Sequence, residues 1–249
     1  MKRIILLLVI LLANDYVFGQ VIKNDTLHSD QNSSINFKSL VIPTAFITYG
    51  FIGLGSDVVK DLNTDIQIRI NADGEYKSKI DNYIQYTPMF SVYGLNAIGV
   101  KGKNNFKDRT IIIGSASIIM ITTVTGLKRL TGVERPDGGS RISFLSRHTA
   151  TAFMGAEFLF QEYKEVSPWI GVSGYLVATG AGYLRMYNNR HWFTDVVTGA
   201  GIGILSTKIA YWIQPWMKEK IFKDKKENVG NVIPFYNGRE VGLGLTMLF

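Results

Sequence analysis

The chain divides by where its charges fall. Four stretches carry no Asp, Glu, Lys or Arg: residues 39–56, 82–100, 110–127 and 166–184. A fifth apolar stretch covers about 193–212, interrupted only by Asp195 and Lys208, and a shorter one follows His148 over 149–163. Repeated apolar segments with few strand signals predict an all-α fold, a helical bundle of about six apolar helices. Each uncharged stretch just reaches the roughly 20 residues that a membrane helix needs. Their Gly, Ser, Thr and Pro content suits a buried core helix equally well. Residues 57–81 are mixed in charge and contain the turn signal Asn71-Ala-Asp-Gly74, so a surface helix and loop are expected there. Lys101 to Arg109 forms a short basic connection, and the charge run over 218–227 reads as a solvated helix end.

The two ends of the chain differ from this pattern. Lys2 and Arg3 precede an apolar run from Ile4 to Ala13, with Gly19 beyond it, the layout of a secretory signal peptide over 1–19. Residues 20–38 are rich in Asn, Asp and Ser and read as a linker, with His28 a surface residue inside it. The bundle is then expected over 39–222. In the tail, 223–249, Asn237-Gly238 separates two runs of apolar residues, the second alternating with Gly and Thr, which predicts a short C-terminal β-hairpin.

Composition narrows the chemistry. With 249 residues the chain is long enough for a full core. It has no cysteine, which removes disulfide and thiolate chemistry. The formal net charge of +7 is moderate, and no basic stripe interleaved with aromatics is present, so nucleic acid is not an expected partner. A local positive field for an anionic substrate or a membrane surface is the simpler reading.

Three fragments concentrate the chemistry-bearing residues: Lys128 to Arg135-Pro136, Ser146-Arg147-His148, and Arg185 to His191 and Asp195. Two of the three histidines lie in them, each near arginines. A His191–Asp195 spacing of four puts both on one face of a helix, where the carboxylate fixes the imidazole tautomer and leaves the other nitrogen for a substrate. A histidine so prepared beside a cluster of cations points to attack on an anion, most simply phosphate. Phosphoryl transfer needs positioning and neutralisation of spread negative charge, which guanidinium forks and a lysine supply. It also needs an unprotonated nucleophile and an acid for the leaving group, roles that two histidines in different environments can divide. His148 opens an apparent helix, whose N-terminal N–H groups favour an anion.

Taken together, Lys-x6-Arg-Pro, Ser-x-His and Arg-x5-His-x3-Asp resemble the three-part signature of the type 2 phosphatidic-acid phosphatase and vanadium haloperoxidase superfamily, across roughly residues 80 to 215. The resemblance implies His191 as nucleophile through a phosphohistidine, Asp195 orienting it, and His148 as the acid and then the base. It implies Lys128, Arg135 and Arg185 around the phosphate oxygens, with Ser146 and the backbone N–H of Arg147 beside them. No metal or other cofactor is implied, because the cations are side chains. Two positions depart from the signature: Leu145-Ser-Arg147-His replaces Pro-Ser-Gly-His, and Leu184 stands where a serine precedes the arginine. The expected activity is hydrolysis of a lipid phosphate or diphosphate (phosphatidic acid, polyprenyl diphosphate or lipid A type) at the cell envelope. An exported, membrane-associated protein with its site facing the periplasm is expected. A soluble periplasmic acid phosphatase of broad specificity and a catalytically weakened envelope binding protein are the alternatives.

Overall fold

A computed structural model describes residues 37–71 and 78–221, together with the backbone of 231–236 and 241–246. The expected leader, most of the linker with His28, residues 72–77 with most of the turn signal, and residues 222–230, 237–240 (with Asn237-Gly238) and 247–249 of the tail lie outside the described residues. After a 3-10 turn at Phe37–Leu40, the helices are α1 (Val41–Gly55), α2 (Asp57–Ile70), α3 (Asp81–Ile84), α4 (Thr87–Ala97), α5 (Phe106–Thr131), α6 (Arg147–Tyr163), α7 (Pro168–Tyr187) and α8 (Phe193–Ile221). Two strands, β1 (Asn231–Tyr236) and β2 (Val241–Thr246), pair antiparallel with Asn231 opposite Thr246 and Tyr236 opposite Val241.

The helix ends follow local chemistry. Asn105 caps α5 by accepting from the Asp108 N–H at 2.9 Å, and Gly132 ends it at φ +60°. Ser146 caps α6 and Pro168 opens α7. The window 82–100 does not form one helix: it breaks after α3, and Pro88 stands in the first turn of α4. A proline lacks the N–H that would continue an incoming helix and crowds the residue before it. With 11 residues, α4 spans about 16 Å at 1.5 Å per residue, well short of a bilayer core of about 30 Å. The surface helix expected in the mixed-charge segment is α2, which buries Asn63 and Gln67.

Among the described residues, three helical segments are long and apolar enough to cross a membrane: Phe37–Gly55, Phe106–Thr131 and Phe193–Ile221. Large apolar side chains lie on the outside of the bundle, among them Ile118, Ile121, Trp169, Leu176 and Trp216. An apolar outer surface of this kind belongs against lipid. Inside, α6 is central and packs on α4, α5, α7 and α8, with a core that includes Val92, Ile112, Met120, Val124, Met154 and Phe158.

Contact between α6 and α8 is unusually close. A Cβ on Gly203 would meet Ala150 O at 2.3 Å, and one on Gly199 would meet Ser146 O at 2.6 Å. Four residues apart, these glycines share one face of α8. Gly201 serves the other side, where a Cβ would lie 2.7 Å from Pro43 O of α1. Consecutive long helices run antiparallel, so one end of the bundle collects the C-termini of α1, α5 and α7 and the N-termini of α6 and α8.

At the opposite end, the buried carboxylates of Glu157 and Glu162 accept hydrogen bonds. Glu162 accepts from the Asn104 backbone N–H at 3.0 Å and the Tyr211 hydroxyl at 2.7 Å, and Glu157 pairs with Lys208 at 2.7 Å. Replacing Gly203 by valine should force α6 and α8 apart at a cost of about 1–3 kcal/mol. The same measurement, thermal unfolding in detergent, should show no comparable loss for Gly180→Ala, because nothing lies within 4 Å of that position.

Candidate active site

The end of the bundle that collects those termini holds a cavity of about 320 Å³. Lys128, Arg135, Arg147, His148, Arg185 and His191 all line it. Side chains up to 63 positions apart in sequence meet there because the antiparallel order returns each helix to the same end.

His191 is not on a helix. It sits in the connection between α7 and α8, two residues before Phe193, so the expected pairing on one helix face takes a different form. The loop directs the imidazole inward, where it is 2% exposed, and Asp195 in the first turn of α8 faces it. His191 Nδ1 and Asp195 Oδ2 are 3.5 Å apart, close enough for electrostatic pairing and too long for a good hydrogen bond. Asp195 Oδ2 accepts instead from the Ser143 hydroxyl at 2.5 Å and the Trp192 backbone N–H at 3.0 Å. With Nδ1 turned to the carboxylate, Nε2 is the nitrogen left for the cavity. Burial pushes the His191 pKa down to about 4 against the opposing pull of Asp195, so the ring is neutral at pH 7.

His148 is the second residue of α6 and half-buried. Its Nε2 lies 3.0 Å from Asn82 Oδ1, which as an acceptor places the hydrogen on that nitrogen. Burial lowers its pKa to about 4, and the positive charge of Arg185 adds to the effect.

The cations are held in different ways. Lys128, near the C-terminus of α5, donates to Ile142 O at 2.7 Å and Ser143 O at 3.2 Å. Those two bonds leave one of its three donor positions for the cavity. Arg185 is mostly buried and hydrogen-bonds the Asp81 carboxylate of α3. Among the described residues, the buried Nε atoms of Arg135 and Arg185 have no hydrogen-bond partner. Arg147, exposed at the first position of α6, adds a further charge to the rim.

Ser146 stands apart from its expected role. It is fully buried, and its hydroxyl accepts from Thr149 N at 3.3 Å and Thr149 Oγ1 at 2.9 Å as the α6 cap. It does not line the cavity. Its own N–H donates to Asp195 O at 2.9 Å, which ties the second fragment to the third.

Sequence reasoning missed Ser143, Asp81 and Asn82. Asp81 is visible only as the charge that bounds an uncharged stretch, and nothing local links it to an arginine 104 residues later. No group of three or more His, Asp or Glu side chains placed to hold a metal occurs among the described residues.

Neutral histidines beside several cations can accept an anion, and an anion in the cavity would raise the pKa of His148 above 4 by offsetting Arg185. Vanadate or phosphate binding near pH 7 should therefore take up protons. Calorimetry in buffers of different ionisation heat would show this uptake, and it should shrink in His148→Gln.

Comparison with known proteins bears on the same residues. Residues 109–219 match the PAP2 superfamily. Over 159 residues the chain is 36% identical to a lipid A 1-phosphatase of Porphyromonas gingivalis, an alignment covering 64% of this chain and 35% of that protein. The chain thus spans about a third of the length of that curated relative. Two solved structures are similar. LpxE of Aquifex aeolicus is 25% identical with a TM-score of 0.46, over 61% of this chain and 95% of that one. A transmembrane PAP2-type phosphatidylglycerolphosphate phosphatase of Bacillus subtilis is 18% identical with a TM-score of 0.48, over 74% of this chain and 99% of that one.

Proposed function

We propose that this chain, which belongs to the PAP2 superfamily, is a membrane-associated phosphatase that hydrolyses a lipid phosphate or diphosphate through a phosphohistidine. The observation that carries the reading is the convergence of His191, His148, Lys128, Arg135 and Arg185 on one cavity. Nε2 of neutral His191 attacks phosphorus as the bond to the leaving oxygen breaks. His148, protonated once the phosphate dianion is bound, gives its proton to that oxygen. Lys128, Arg135 and Arg185 neutralise the charge spread over the remaining phosphoryl oxygens, with the N-terminus of α6 beside them. In the second step water attacks phosphorus, His148 takes its proton, the P–N bond breaks and inorganic phosphate leaves. Asp195 keeps the His191 ring oriented and stabilises the positive charge it gains.

Three candidate membrane segments and an apolar outer surface support a lipid substrate. Within that class, the activity named for the Porphyromonas gingivalis relative supports a lipid A type phosphate.

Orientation is part of the same proposal, with the cavity facing the periplasm. Because α1 runs towards the site, Phe37 lies at the end of the bundle away from it. Basic residues lie at both ends, with Lys101 to Arg109, Lys164 and Lys218 at the distant one and Lys128, Arg129, Arg135, Arg147 and Arg190 at the cavity. The bias of Lys and Arg to the cytoplasm therefore does not choose between them, and the periplasmic site is our proposal. A periplasmic site in turn puts Phe37 on the cytoplasmic side. It is therefore incompatible with a leader that exports residue 20 ahead of a crossing α1.

In detergent solution, His191→Ala should lower phosphate release at least a thousandfold, and vanadate should inhibit the wild type. Equal rates for wild type and His191→Ala would overturn the catalytic reading. Ser143→Ala removes a hydrogen bond to a charged carboxylate, a contact of about 1.5–3 kcal/mol, so kcat should fall roughly 10- to 100-fold. For orientation, the cysteine-free chain suits single substitutions. Asp137→Cys at the site end should react with an impermeant maleimide from the periplasm and Glu219→Cys should not. The reverse pattern would favour the exported leader and an inward-facing site.

A further inference from the structure

A second cavity, of about 380 Å³, adjoins the first and is lined by Ser78, Lys79, Asp81, Asn82, Asn188 and Arg190. The two share Arg135, His148 and Arg185 as a common wall, whereas His191 lines only the first. We propose that the second cavity receives the leaving group of the reaction, and that Lys79 and Arg190 select one that is polar and carries a second negative charge. The inference rests on the phosphatase reading above and extends it to substrate selection.

Geometry sets the direction. In phosphoryl transfer the attacking and leaving atoms lie roughly in line on opposite sides of phosphorus. With His191 attacking from the first cavity, the leaving oxygen points away from it, and it must come within reach of the acid. His148 stands at the seam, so the group beyond that oxygen continues into the second cavity.

The chemistry of the lining sets the class. Every side chain around the second cavity is polar or charged. An acyl or prenyl chain lodged there would take these groups out of water without offering them partners, which is costly. Much of the wall is held by its own hydrogen bonds. Asn188 accepts from Ser78 N at 2.9 Å and donates to Ser78 O at 2.8 Å, Asn82 bonds His148, and Asp81 bonds Arg185. Lys79 and Arg190 are not part of this frame. Lys79 is exposed, and Arg190 reaches the rim, where its side chain, 42% exposed, pairs through Nη1 with Asp137 at 2.9 Å. Cations outnumber carboxylates around the cavity, which suits hydroxyls and an anion such as a second phosphate. That phosphate can be the neighbouring one of a diphosphate or one borne on a sugar.

The test compares three substrates with the full chain in detergent: a short-chain phosphatidic acid, farnesyl diphosphate, and a bisphosphorylated glucosamine disaccharide lipid. Wild type, Lys79→Ala and Arg190→Gln are assayed for kcat/KM, and vanadate binding checks that each variant is folded. Wild type should favour a substrate with a second anion over phosphatidic acid, and each variant should reduce that ratio about tenfold. A fall confined to the diphosphate assigns the second charge to the adjoining phosphate. A fall confined to the disaccharide assigns it to a sugar phosphate, and either supports the proposal. Ratios within twofold of wild type in both variants, or a wild-type preference for phosphatidic acid, would overturn it. Failure of the phosphatase reading is distinct, because wild type and His191→Ala would then release phosphate equally slowly from all three.

Discussion

The end of the bundle that holds the candidate site depends on how closely α8 approaches α6. Gly199 and Gly203 bring the α8 backbone against Ser146 O and Ala150 O, at distances no side chain could occupy. That approach allows Ser146 N to donate to Asp195 O at 2.9 Å and the Ser143 hydroxyl to reach Asp195 Oδ2 at 2.5 Å. The segment leading to His148 and the turn carrying Asp195 are thereby fastened to each other. Moving these helices apart by the width of a methyl group would separate the two histidines before it disturbed either one locally. In a lipid-facing bundle this matters more than in water, since close packing rather than apolar transfer has to hold helices together.

Electrostatics adds a second constraint. Several cations face two adjoining cavities, and their mutual repulsion has to be offset before any anion arrives. Asp81 offsets Arg185, backbone carbonyls take two donors of Lys128, and Asp137 pairs with Arg190 at the rim. Both histidines are kept neutral by burial, with pKa values near 4. In the mechanism we propose, bound phosphate would reverse the balance for His148 and so couple substrate binding to protonation of the acid.

The two ends of the bundle are built for different tasks. At the far end, Glu157 and Glu162 are matched by Lys208, Tyr211 and Asn104, so their charges are spent on closing the structure. At the site end, buried Nε atoms of Arg135 and Arg185 are left without hydrogen-bond partners among the described residues, as is that of Arg109 at the far end. Of the three, only Arg135 and Arg185 border the site cavity. Unsatisfied buried donors are costly in a finished core and useful where an anion is to be received.

What the sequence by itself determined is the local and periodic part of this protein. Uncharged stretches marked most of the helices, His148 marked the start of one, and the spacing of Lys128, Arg135, His148, Arg185 and His191 named the cluster that lines the cavity. Those features depend on residues a few positions apart, which a linear pattern records. The break between α3 and α4 was misread because lack of charge says nothing of where a proline interrupts a helix. Only the tertiary structure decided that His191 sits in a loop, that Ser146 serves as a cap, and that Asp81, Asn82 and Ser143 hold the site together. Each of these follows from contacts between segments distant in the chain, made by the approach of backbones whose spacing no single stretch encodes.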